Sequence, residues 1–150
     1  MSIKQRLTDD VKAAMLAGDA ARLECLRGLK SVILYTEVAA GKREDGLTDD
    51  EIQVIFAKEA KKRQESADLY VRGGSQERAD KELSEKKIIE EYLPAQMSEE
   101  EITILVEKII TETGVSGPQA MGQVIGKVKA VAGSSADGSV VARIVKEKLS

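Results

Sequence analysis

Apolar side chains return every three or four residues along almost the whole chain, and no stretch keeps the two-residue alternation of a half-buried strand. Such spacing lays one apolar stripe along a helix, and a stripe of that kind is buried by packing helix on helix. The expected fold class is therefore all-α. Ser2, with Gln5 three residues on, opens a first helix that ends at Gly18, with Ile3, Leu7, Val11, Ala14 and Met15 on its inner face. Asp19 starts a second helix with Leu23, Leu26, Leu29, Ile33 and Val38 as core candidates, closed by Gly41. Thr48 and Glu51 form a capping box, with Leu47 stapled to Ile52, ahead of a third helix reaching Arg72. Its core candidates are Ile52, Ile55, Phe56, Ala60, Leu69 and Tyr70.

Gly73-Gly74 ends that helix, and Ser75 begins a fourth that runs to Tyr92-Leu93. Pro94 disfavours helical geometry at Leu93, so the chain breaks there. A second capping box, Ser98 with Glu101, then starts a fifth helix carrying Ile102, Leu105, Val106, Ile109 and Ile110. Gly117-Pro118 introduces a sixth with Met121, Val124, Ile125 and Val128 facing inward. Asp137 caps a seventh with Val140, Val141, Ile144, Val145 and Leu149. The pattern predicts a four-helix N-terminal part, 1–95, and a small C-terminal three-helix part, 96–150. The second is near the lower size limit for independent stability.

Inventory narrows the chemistry. Histidine is absent and Cys25 is the one cysteine, which removes the common zinc sites, the Ser-His-Asp triad and the Cys-His dyad. Cys25 stands among Leu23, Leu26 and Leu29 and reads as a small buried hydrophobe. Glu90-Glu91 and Glu99-Glu100-Glu101 are adjacent acids that point in different directions on a helix, so they read as helix electrostatics. No nucleotide-cradling glycine loop is present. No catalytic residue, metal, cofactor or small-molecule substrate is expected. Without a bilayer-spanning apolar run or an export-type N-terminus, a cytoplasmic location and no membrane partner are expected.

Charge is unevenly spread. Residues 1–97 hold 17 basic and 19 acidic side chains, residues 98–113 one and five, and residues 114–150 five and two. The basic tail consists of Lys127, Lys129, Arg143, Lys146 and Lys148. It reads either as a contact for an RNA backbone or as the solvated face of two amphipathic helices. Gly122 and Gly126 share a flank of the sixth helix with Lys129. A glycine in a helix costs about 1 kcal/mol relative to alanine, so some close approach is expected at both. The preferred reading is tight packing inside the three-helix part; the other is a phosphate backbone or a partner helix. Candidate RNA-binding residues are Lys127, Lys129, Arg143, Lys146, Gly122 and Gly126. Lys58, Lys61, Lys62 and Arg63 read as a solvated face, with Glu59 pairing to Arg63.

One further pattern joins these pieces. Tyr92-Leu93-Pro94-Ala95-Gln96-Met97-Ser98-Glu99-Glu100-Glu101-Ile102 resembles the hinge of the YqeY family. Thr113-Gly114, Met121-Gly122-Gln123-Val124-Ile125-Gly126 and Ala136-Asp137-Gly138 continue the likeness, as do Arg22-Leu23-Glu24-Cys25-Leu26-Arg27 and the segment Lys58 to Ser66 upstream. The resemblance covers essentially the whole chain. That family is similar to the C-terminal helical and tail regions of the B subunit of tRNA-dependent amidotransferase. The resemblance implies a stand-alone relative of a tail that approaches the tRNA body, with tRNA or a tRNA-amidation complex as partner. A carbon–nitrogen ligase label with glutamine as amide donor would come from the larger enzyme. Ser134-Ser135 and Ser139 stand where the family often carries basic residues, so this loop is less positive than the likeness implies. The alternative is a protein-interaction adaptor using the long charged helices around Gly73-Gly74.

Overall fold

The computed structural model describes residues 1–150 as seven α-helices and two short 3-10 turns, with no strand. In order they are α1 (Ile3–Ala17), α2 (Ala20–Ala39), α3 (Asp49–Arg72), α4 (Gln76–Glu90), α5 (Glu99–Thr113), α6 (Met121–Ala132) and α7 (Gly138–Leu149). The all-α expectation is met. Contacts divide the chain into Met1–Leu93 and Pro94–Ser150.

The helix starts sit where capping side chains can satisfy the free amides of the first turn. Ser2, Asp19, Thr48, Ser98 and Asp137 all accept from backbone N–H groups. Only the Thr48 cap is a complete capping box, with Glu51 reaching back to the Thr48 amide. At Ser98 the Glu101 carboxylate instead accepts from the serine hydroxyl at 3.2 Å.

In the first unit, α1 and α2 form a hairpin over the long α3–α4 pair. Leu7, Leu26, Leu29, Ile33, Ile52, Phe56, Ile89 and Tyr92 fill its core. Three core expectations fail there. Met15, Val38 and Leu69 are exposed. At the end of α2 the inward position belongs to Glu37, next to Val38 in sequence. Its carboxylate accepts from Lys4 Nζ at 2.6 Å and from the Leu47 N–H at 2.8 Å. A buried charge needs such partners, and here they tether the α2–α3 connection to α1. In the distal half of α3, burial falls on Ala67, with Ala79 buried on α4. Small side chains let two helices approach closely, and Leu69 lies on the outer side of that pair.

Tyr92 anchors the end of this unit. Its ring meets Phe56 edge-on at a centroid distance of 5.9 Å, and the Arg6 guanidinium lies 5.0 Å from the ring centroid. Its hydroxyl donates to Asp10. Beside it, Arg22 binds Glu91 at 2.8 Å, and Arg6 donates to the Glu91 carbonyl at 3.0 Å. Beyond Pro94 the chain is held by the second unit instead. The Met97 N–H donates to the Ser135 carbonyl at 2.7 Å, and the Gln96 side-chain amide to the Ser134 carbonyl at 2.9 Å. Two sets of anchors on either side of one proline explain why the division falls there.

The second unit wraps α5, α6 and α7 around Ile102, Val106, Val124, Val128, Val141, Ile144 and Val145. The sixth helix starts as a 3-10 turn, Pro118–Ala120, before becoming α-helical at Met121. Met121 and Ile125 flank the core half-buried.

Candidate functional site

The register of α6 sets the geometry of the basic tail. Val124 and Val128 are fully buried and point at α5 and α7. Counting 100° per residue, Gly122, Gly126 and Lys129 fall on the opposite side of the helix, and all three are exposed. A Cβ built at Gly122 or at Gly126 would meet nothing within 4 Å. Tight packing within the three-helix unit, the reading preferred from sequence, is therefore corrected. No neighbour inside the unit uses the room these glycines leave. The result is an open strip of helix backbone with Lys129 at its end.

The five tail cations are not equivalent. Arg143 binds Glu99 on α5 and lies 3.5 Å from Glu147, so two carboxylates already oppose its charge. Lys148 binds Glu107 at 2.7 Å. Lys127, Lys129 and Lys146 are exposed and make no ion pair. Of the six residues singled out from sequence, the structure brings Gly122, Gly126 and Lys129 together on one helical strip. Lys127 lies on another side of α6 and Lys146 on α7, whereas Arg143 is tied to α5. The loop Gly133–Ser135 carries no charged side chain, and Asp137 is the N-cap of α7, accepting from the Ser139 N–H at 2.8 Å.

The other charged groups have local partners. Arg63 lies 3.9 Å from Glu59, as its spacing suggested, and also approaches Glu82 and Glu85 on α4. Its Nε sits 2.8 Å from Glu85 without hydrogen-bond geometry. Lys62 pairs with Glu59, and Lys42 with Glu51. Among the paired acids, Glu91 binds Arg22 and Glu99 binds Arg143. Cys25 is buried, and burial first, with the Glu85 charge second, pushes its thiol up to about 11. Such a thiol is inert near neutral pH.

Sequence reasoning passed over Lys4, Lys30 and Leu34. They line an open groove of about 300 Å³ between α1 and α2. A signal was present: Leu34 is a large apolar residue of α2 that falls outside the stripe of Leu26, Leu29 and Ile33.

A family model described as Yqey-like protein matches residues 4–149. The chain is 32% identical over 126 residues to Altered inheritance of mitochondria protein 41, mitochondrial, of Kluyveromyces lactis, covering 81% of this chain and 66% of that protein. It is 31% identical over 115 residues to the protein of the same name from Lachancea thermotolerans, covering 75% and 60%. The chain thus spans under two thirds of the length of these relatives. No helix is long and apolar enough to cross a membrane.

Proposed function

We propose, from the premise that this chain belongs to the Yqey-like protein family, that it is a non-catalytic accessory module that docks on the body of a tRNA through the glycine strip of α6. One observation carries the reading: two helix-weakening glycines stand side by side on an exposed face, beside a lysine with no acidic partner. Within the three-helix unit their cost, about 1 kcal/mol each, is not recovered by any contact. A sugar–phosphate backbone can lie closer to such a strip than to an ordinary helix face. Lys129 then supplies charge at its end, with Lys127 and Lys146 as further cations. Since aromatic residues are absent from 93–150, the contact is to backbone rather than to stacked bases.

Titration of tRNA at about 50 and 200 mM salt tests this. Three unpaired lysines predict a slope of log affinity against log salt of about −2 to −3. Lys129→Glu should weaken binding more than Arg143→Glu, whose parent side chain is already opposed by two carboxylates, and more than Lys61→Glu in the first unit. Equal effects, or binding indifferent to salt, would remove the proposal. On this reading glutamine-dependent amide transfer is no property of the chain alone, and turnover by a pure preparation would contradict it. A cytoplasmic location belongs to the same proposal. Because the relatives carry mitochondrial names, imaging of the tagged protein in its own cell is the test.

A further inference from the structure

Residues 94–150 carry seven acids against six bases, so the second unit does not draw a polyanion by its net charge. Binding there depends on which single cations are left free. Along the seam between α5 and α7, two of them are not. Glu99, at the start of α5, binds Arg143, and Glu107, two turns further on, binds Lys148 at 2.7 Å. Glu147 adds a second carboxylate 3.5 Å from Arg143. The two pairs are eight residues apart on α5 and five apart on α7, about 12 and 8 Å of helix, so they run along the seam rather than meeting at one point.

The helix dipole does not account for both acids. Glu99 is in the first turn, where an acid is favoured, but Glu107 is the ninth of the fifteen residues of α5 and lies beyond the dipole's end. Stability is a weak account too. The four side chains are 40–66% exposed, and ion pairs so exposed contribute little to folding. Their larger effect is on the surface offered to an anion, because a phosphate reaching Arg143 or Lys148 must first displace a carboxylate. Lys146, one turn from Arg143, is then the one unpaired cation on α7. The glycine strip lies on the side of α6 away from α5 and α7, and its Lys129 is unopposed. We propose that Glu99 and Glu107 are specificity-determining residues. They mask Arg143 and Lys148, so phosphate finds no second foothold along α7 and only a backbone that fits the glycine strip is held. The role of the strip rests on the docking proposed above, whereas the masking rests on the two ion pairs.

Two double variants of the full-length chain test this, each losing two charges from α5. Glu99→Gln with Glu107→Gln frees the two cations. Glu100→Gln with Glu101→Gln, the control, removes acids that have no cation partner. Affinity is measured for a single-stranded oligothymidylate and for tRNA between about 50 and 200 mM salt. The first variant should bind the oligothymidylate about tenfold more tightly at the lower salt, with a slope of log affinity against log salt steeper by about 1.4, as two added cations require on a single strand. The control should gain less than about threefold, since salt screens charges that touch no cation. Adding Arg143→Gln and Lys148→Gln to the first variant should restore the parent's affinity. The margin by which the chain prefers tRNA should shrink in the first variant alone. Equal gains in the two variants, no gain, or a gain that survives the loss of Arg143 and Lys148 would overturn the proposal. So would a lowered unfolding midpoint in the first variant without a gain in affinity, which would assign the pairs to stability. A parent chain that bound no tRNA would remove the docking at α6, and the oligothymidylate gain would still decide the masking.

Discussion

Replacing both glycines of the α6 strip by alanine separates stability from function. A Cβ at Gly122 or Gly126 enters open space, and neither residue has a positive φ, so the folded state accommodates both methyl groups without strain. Each change then recovers the helix propensity that glycine forfeits, about 0.8–1.0 kcal/mol, and the pair about 1.6–2 kcal/mol. The two sites are four residues apart without a shared side-chain neighbour, so near-additivity is expected. The assay is hydrogen exchange of the α6 amides in the full-length double variant. Amides that exchange through opening of the unit should slow by about 15- to 30-fold. Affinity for tRNA should fall in the same protein, because the methyl groups stand where the phosphate backbone would approach. A variant that exchanges faster than the parent would refute the reasoning, since the room at the glycines would then have to be occupied. Slower exchange with undiminished tRNA affinity would keep the helix argument and remove the functional one.

Other consequences follow for the first unit. Tyr92→Phe keeps the edge-on contact with Phe56 but loses the bond to Asp10; urea unfolding should show a loss of about 1.5–3 kcal/mol. Hydrogen bonding from Lys4 first, then from the Leu47 amide, holds the Glu37 carboxyl below its ordinary value of 4.5. Between the two values the unfolded chain binds more protons, so the contribution is complete above 4.5 and is lost as pH falls through the depressed value. Glu37→Gln should flatten that part of the stability–pH curve, and an unchanged slope would count against the tether. The Cys25 thiol, buried and raised to about 11, should resist a thiol reagent at pH 8 until urea unfolds the chain.

The helices and their starts could be read from the chain because both signals are local. Periodicity fixes the helix, and a Ser, Thr or Asp placed before it finds the amides of the same turn. What periodicity does not carry is which neighbour lies beside each turn. Met15, Val38 and Leu69 fit the stripes of α1, α2 and α3, but in those turns the inward positions belong to Ala14, Glu37 and Ala67. Glu37 was missed because its partners, Lys4 and the Leu47 amide, are 33 and 10 residues away. At the α6 strip the sequence revealed that Gly122, Gly126 and Lys129 share a flank. Whether the flank was packed or open depended on α5 and α7, and so did the neutralisation of Arg143 by Glu99.

The most direct measurement is a hydrogen-exchange footprint of the full-length chain with and without saturating tRNA. The account predicts added protection over 121–130, with α3 and α4 unchanged. Protection confined to the first unit, or none anywhere, would contradict it.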